Sequence, residues 1–245
     1  MSSVTDTPAA QRQTIHYPES DGQPMADDTR HFSWIVLIKE NLEALFQERD
    51  DVFVAGDLLW YPVEGRRDLC RAPDTMVVFG RPKGHRGSYK QWEEDGIAPQ
   101  VVFEVQSPLN GFKEMLEKLE FYDTYGVEEY YMYNPDPEYN DLAGFQRLGE
   151  RLRSIDEMNG WVSPRLGIRF DTSGEALRIF CPDNEPFRTH QELWKIVEQA
   201  RREQEARHAS RQHVNQRVAW MEAQLRELGV DPDELEQGGA ASPEE

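Results

Sequence analysis

At 245 residues, 38% of them hydrophobic and 11% aromatic, the chain is long enough for one substantial domain with appendages. Two cysteines, Cys70 and Cys181, make neither a disulfide framework nor a CxxC metal pair, which fits a reducing cytosol. No run of about 18 apolar residues occurs, which excludes a transmembrane helix. Residues 1–28 lack the basic start and apolar stretch of a signal peptide, so a soluble, cytoplasmic protein with no membrane partner is expected. The formal charge of −19 counts against nucleic-acid binding, because such affinity comes largely from Lys and Arg neutralising phosphates. Between Arg66 and Lys90, however, seven basic residues stand against two acids, and much of the acid excess lies elsewhere, including residues 231–245.

In chain order, residues 1–28 read as a flexible or loosely packed arm. Over 31–47, Ile35, Ile38, Leu42, Leu45 and Phe46 recur at three- and four-residue steps, which predicts a helix burying one face. Strands are predicted at 52–55 and 58–61, the second ending at Pro62. The β-branched and aromatic runs 75–79 and 101–105 suit buried strands, and a loop rich in Gly, Arg and Lys joins them over 80–99. A second helix is predicted over 111–125, with Phe112, Met115, Leu116, Leu119 and Tyr122 at helical spacing and Gly126 as its stop. Residues 129–133 read as a strand closed by a turn at 134–137. From 142 to 180, short apolar segments alternate with Gly-containing pairs such as Gly144-Phe145 and Gly160-Trp161, as in β-hairpins.

The order predicts a mixed α/β layer fold over 29–187. From 190 to 228 the sequence has no Gly or Pro and reads as one long helix. Leu193, Ile196, Val197 and Ala200 form an early stripe, and Val214, Val218, Met221, Leu225 and Leu228 a late one, with a polar middle that a coiled coil tolerates. Residues 188–229 are thus a candidate coiled coil and 230–245 a disordered acidic tail. An amphipathic helix this long is expected to pair, giving a homodimer.

Two lone carboxylates mark the chemistry. Asp74 follows Pro73 into one apolar strand, and Glu104 lies inside Val-Val-Phe-Glu-Val. A buried carboxylate costs several kcal/mol unless paired or metal-bound. Two carboxylates converging from neighbouring strands are what Mg²⁺ needs, its other positions being filled by water and phosphate oxygens.

The stretches APDTMVVFG, PQVVFEVQSP and EKLEFYDTYGVEEYYMYNPDP resemble the Uma-type (Uma-two) endonuclease family, a branch of the PD-(D/E)XK restriction-endonuclease-like superfamily. The resemblance covers roughly 52–133 and, more loosely, the hairpins to 180. It implies a restriction-endonuclease-like mixed β-sheet flanked by helices, and an endonuclease that hydrolyses phosphodiester bonds with Mg²⁺ or Mn²⁺. By position, Asp74 and Glu104 correspond to the metal-binding acids. Where many superfamily members hold a lysine two residues after the Glu, this chain has Gln106, and the family's lysine corresponds to Lys118 on the following helix. Lys118 would orient the attacking water, and Gln106 could contact the metal through its side-chain carbonyl. Glu114 stands where family members often carry Asp, and Glu43 on the first helix is a further candidate ligand. Arg81, Lys83, Arg86 and Lys90 would touch the phosphate backbone; DNA rather than RNA follows from the resemblance alone.

Taken singly, each residue also has a plainer reading. Asp74 could simply begin a strand, Glu104 could pair with Arg71, Lys118 could form a solvated pair with Glu114, and Glu43 could be a surface acid. His85 reads as exposed, Tyr122, Tyr130 and Tyr131 as core aromatics, and Ser107 as a turn residue. A catalytically inactive nuclease-fold protein that oligomerises through its C-terminal helix is the alternative from a different functional class.

Overall fold

The computed structural model describes residues 15–20, 22, 25–107 and 111–229. Pro108 of the Ser107-Pro108 turn and the acidic tail 230–245 lie outside the described residues, as does most of the N-terminal arm. The chain divides into two compact units, residues 1–187 and 188–245. No helix among the described residues is long and apolar enough to cross a membrane.

The first unit opens with α1 (Thr29–Leu45), whose N-cap Asp28 accepts from the backbone N–H groups of Arg30 and His31 at 2.8 Å each. Its buried stripe is His31, Ile35, Ile38 and Leu42, a spacing of four, three and four that faces one side. Strands β1 (Val52–Ala55), β3 (Thr75–Phe79), β5 (Val101–Val105), β6 (Glu129–Asn134), β7 (Asp141–Leu148) and β8 (Arg151–Ser154) form a six-stranded sheet in that order. All neighbours are antiparallel except β5 and β6. A parallel neighbour needs a crossover, and α2 (Phe112–Thr124) supplies it.

The sheet is mixed and covered on both faces. On one, Val77, Val101, Phe103, Val105, Tyr131 and Tyr133 pack with α1 and with Ile168 and Phe170. On the other, Met76, Val78, Val102 and Tyr130 pack with Phe121 and Tyr122 of α2 and with Trp60. The indole of Trp60 lies parallel to the Tyr122 ring at 6.3 Å and edge-on to Phe121 at 5.3 Å.

Two expectations need correction. The predicted strand 58–61 shrinks to β2 (Trp60–Tyr61), and the predicted loop 80–99 contains its parallel partner β4 (Tyr89–Lys90) and a 3₁₀ turn (Gln91–Glu93). A two-residue strand leaves no periodicity to read. Gly144-Phe145 lie inside β7, the first strand of the β7–β8 hairpin; an added Cβ at Gly144 would run into the Met158 thioether and Ile155. The β7–β8 turn is made at Gly149, with φ of 66°. Beyond the sheet, β9 (Arg169–Asp171) pairs with β10 (Arg178–Phe180). The described part of the arm is held in place: the Tyr17 hydroxyl accepts from the Gly65 N–H at 2.6 Å, and Tyr61 donates to the Pro18 carbonyl at 2.9 Å.

The second unit is α3 (His190–Glu227), started by a capping box between Thr189 and Glu192.

Glu129, buried in β6, joins the sheet to the segment before β9. It accepts from the Tyr131 hydroxyl at 2.8 Å, from the Ser163 hydroxyl, and from the Arg165 N–H at 2.7 Å. Glu129→Ala is expected to strand these donors and destabilise the domain by about 3 kcal/mol in urea titrations. Glu128→Ala, which loses only the more exposed pair to Arg165, is expected to cost less than about 1 kcal/mol.

Candidate active site

β3 and β5 run antiparallel with Thr75 opposite Phe103 and Met76 opposite Val102. One further step of this register sets Asp74 opposite Glu104. Side chains alternate along strands, so both carboxylates share the face of Met76 and Val102, the face that α2 covers. Directly opposite residues have Cβ atoms about 5 Å apart. Two acids thirty residues apart in sequence thereby become neighbours.

Glu104 is buried, with its side chain 3% exposed. Its Oε2 accepts from the Lys118 ammonium at 2.8 Å and its Oε1 from the Tyr122 hydroxyl. Lys118 and Tyr122 are four residues apart on α2 and therefore reach the same point. Burial pushes the Glu104 carboxyl up to about 7; the charge of Asp74 adds to this, and Lys118 and Tyr122 oppose it. Burial pulls the Lys118 ammonium downward, but Glu104 and Asp74 outweigh it, and on balance its pKa is raised. Burial also raises Tyr122 well above an ordinary phenol, which keeps it a neutral donor.

Asp74 is held from two sides, by the Val105 N–H at 2.6 Å and by His31 Nε2 at 3.4 Å. Both contacts fall on Oδ2, and Oδ1 takes neither. The hydrogen bond to Asp74 raises the pKa of His31 against its burial. His31 was absent from the sequence reading, although it extends the apolar stripe of α1 one turn towards the N-terminus. A histidine at a stripe position was the available signal. Tyr122 was read as a core aromatic; it is one, and its hydroxyl also reaches the site.

Asp74 and Lys118 open onto a cleft of about 410 Å³, also lined by His31, Asp57, Asp68, Arg71 and Glu114. Glu104, Gln106, Glu114 and Lys118 share a smaller cavity of about 10 Å³, at the lower limit for a single water. Gln106 directs its amide at the Met115 sulfur, 3.3 Å away, and Glu114 lies 3.6 Å from Lys118. Arg71 does not neutralise Glu104; it lies 4.0 Å from Glu117 and over the Phe121 ring.

The other expected residues lie elsewhere. Glu43 pairs with Lys39 at 2.5 Å and lines a separate cleft with Val52 and Lys83. The four basic residues assigned to the phosphate backbone have partners within the chain. Arg81 binds Glu94 and Asp95, Arg86 binds Glu94, Lys90 binds Glu93, and Lys83 donates to the carbonyls of Phe46 and Gln47.

Among the described residues no three His, Cys, Asp or Glu side chains gather into a metal-ligand cluster. Mg²⁺ does not require one, since one or two carboxylates suffice. Asp74 and Glu104 fit that demand: Glu104, raised chiefly by burial, feels the charge of Asp74, and the cleft that Asp74 lines carries more acids than bases.

A carboxyl raised on folding, here from 4.5 to about 7, contributes its stability fully below the lower value and loses it as pH rises through the higher one. His31, also raised, acts in the same direction above the ordinary histidine value of 6.5. In metal-free buffer the melting temperature is therefore expected to fall between pH 5 and pH 8. Glu104→Gln is expected to make that fall shallower, as measured by calorimetry at each pH.

The profile of the Uma2 family, described as "Putative restriction endonuclease", matches residues 6–170, two thirds of the chain. No curated protein matches. A solved structure described as "a putative nuclease belonging to DUF820 from Anabaena variabilis" is similar at 13% identity and a TM-score of 0.42, over 56% of this chain and 73% of that one. By the family match over two thirds of its length, the chain belongs to the Uma2 family of restriction-endonuclease-like proteins.

Proposed function

We propose that this protein is a divalent-metal-dependent endonuclease that hydrolyses phosphodiester bonds of DNA. The supporting observation is the meeting of Asp74, Glu104 and Lys118 where β3, β5 and α2 adjoin. Asp74, through the oxygen that His31 and Val105 leave free, and Glu104 would hold Mg²⁺ or Mn²⁺. The cation would supply Lewis acidity and offset the charge that builds on the phosphoryl group.

The chain's own residues do the positioning. Lys118 donates to Glu104 while lining both the cleft and the one-water cavity, so its ammonium can orient an attacking water and stabilise developing negative charge. Tyr122 fixes the other Glu104 oxygen, and His31 fixes Asp74. These are positioning residues: neither holds the cation in this scheme. A cytoplasmic setting belongs to the same proposal.

A second reading has support of its own. Both Glu104 oxygens already accept hydrogen bonds, and the loop cations are consumed internally. A catalytically inactive member of the family would look the same. Titration with Mn²⁺ separates the two. The nuclease reading expects a site that Asp74→Ala or Glu104→Ala abolishes, binding more weakly at pH 6 than at pH 8 because a proton must leave Glu104 first. Absence of any such site in the wild type would leave only the inactive reading.

On supercoiled plasmid with Mg²⁺, wild type is expected to nick, and Asp74→Ala, Glu104→Ala and Lys118→Ala to lose at least about a hundredfold in rate. His31→Asn is expected to retain measurable cleavage at a rate reduced roughly tenfold, as suits a group that orients a ligand. Equal nicking by wild type and the triple alanine variant would falsify the assignment.

A further inference from the structure

α3 and its C-cap Leu228 carry apolar residues at seven-residue spacing towards both ends. Taking Val197 as position a, the a positions are Val197, Gln204, Arg211, Val218 and Leu225, and the d positions run from Leu193 through Ala200, Arg207, Val214 and Met221 to Leu228. Eight of these eleven positions are apolar, and Gln204, Arg207 and Arg211 separate the early stripe from the late one. No residue of α3 is buried, and Leu193, Val197, Val214, Val218 and Met221 are each more than 40% exposed.

The period identifies the kind of partner. A straight α-helix drifts about 20° per heptad against a seven-residue repeat. Over five heptads the stripe winds about 100° around the helix, so a flat protein surface would lose contact with it. Only a helix that supercoils with α3 can follow it.

A second copy of α3 accommodates this distribution of polarity. In an in-register pair apolar layers meet apolar layers at both ends, and the polar layers Gln204, Arg207 and Arg211 meet in the middle. The two arginines keep their stems in the seam and carry their guanidinium groups outward. Flanking charges are also complementary between copies. Arg217 at g faces the partner's Glu222 at e. In a parallel pair, valine at a, as at 197 and 218, with leucine at d, as at 193, favours two strands over three or four. We infer that α3 pairs with α3 of a second copy of this chain as a parallel, in-register, two-stranded coiled coil.

This inference does not depend on the nuclease reading, and its test uses no activity. By sedimentation equilibrium the full chain is expected at twice its mass of 28.5 kDa. Val218→Asp is expected to weaken dimerisation at least a hundredfold, whereas Gln216→Glu, at an outward f position, leaves it unchanged. Circular dichroism and melting of the first unit report that Val218→Asp remains folded. With Cys70 and Cys181 replaced by serine, Val214→Cys is expected to oxidise to a covalent dimer, since the parallel register sets residue 214 against its own copy. A monomeric wild type, including one whose α3 folds back on its own first unit, overturns the inference. So does a dimer indifferent to Val218→Asp, and a dimer that Val214→Cys cannot cross-link overturns the parallel register.

Discussion

A carboxylate in the middle of a buried strand governs the architecture of the first unit. Glu104 lies between Phe103 and Val105, all three buried. An ionised carboxylate in such a place is tolerated only with a cation and hydrogen-bond donors beside it. Lys118 and Tyr122 meet both needs, and because they come from one helix face, α2 can pack on the sheet in only a narrow range of positions. The crossover helix is thus fixed by the acid as well as by the apolar contacts of Trp60, Phe121 and Tyr122.

The same arrangement leaves the charges unbalanced. Asp74 stands opposite Glu104 and is held by the Val105 N–H and His31, whereas Lys118 pairs with Glu104. Burial, with the charge of Asp74 adding to it, raises Glu104 against the pull of Lys118. A cluster kept for stability alone would do better with apolar residues, which often replace buried ion pairs at no cost. Perturbed carboxyls beside a cleft are the commoner signature of a functional site.

How far this was legible in the sequence depended on the range of each interaction. The core strands and both helices of the first unit could be read because their periodicities are local, and Asp74 and Glu104 stood out because one leads into an apolar run and the other interrupts one. His31 was missed because its meaning lies in a partner 43 residues away. The short strand β4 was missed and β2 drawn too long because two residues carry no periodicity, and the close approach of Met158 to Gly144 leaves no mark in the sequence. The basic loop looked like a phosphate-binding surface because sequence composition does not show Glu94 taking two of its arginines.

That last point bears on how so acidic a chain could act on a polyanion. Beyond a Debye length of about 8 Å at physiological salt, exposed charges are largely screened, so the formal charge of −19 matters less than the charges lining the cleft. There Arg71 and Lys118 face Asp27, Asp57, Asp68, Asp74 and Glu114. A bare cleft of this composition repels phosphate, and a divalent cation held by Asp74 and Glu104 would lower the local excess of negative charge. Under the nuclease reading the divalent cation therefore has a second task besides its chemistry: it makes the cleft approachable, so substrate binding and catalysis depend on the same two carboxylates.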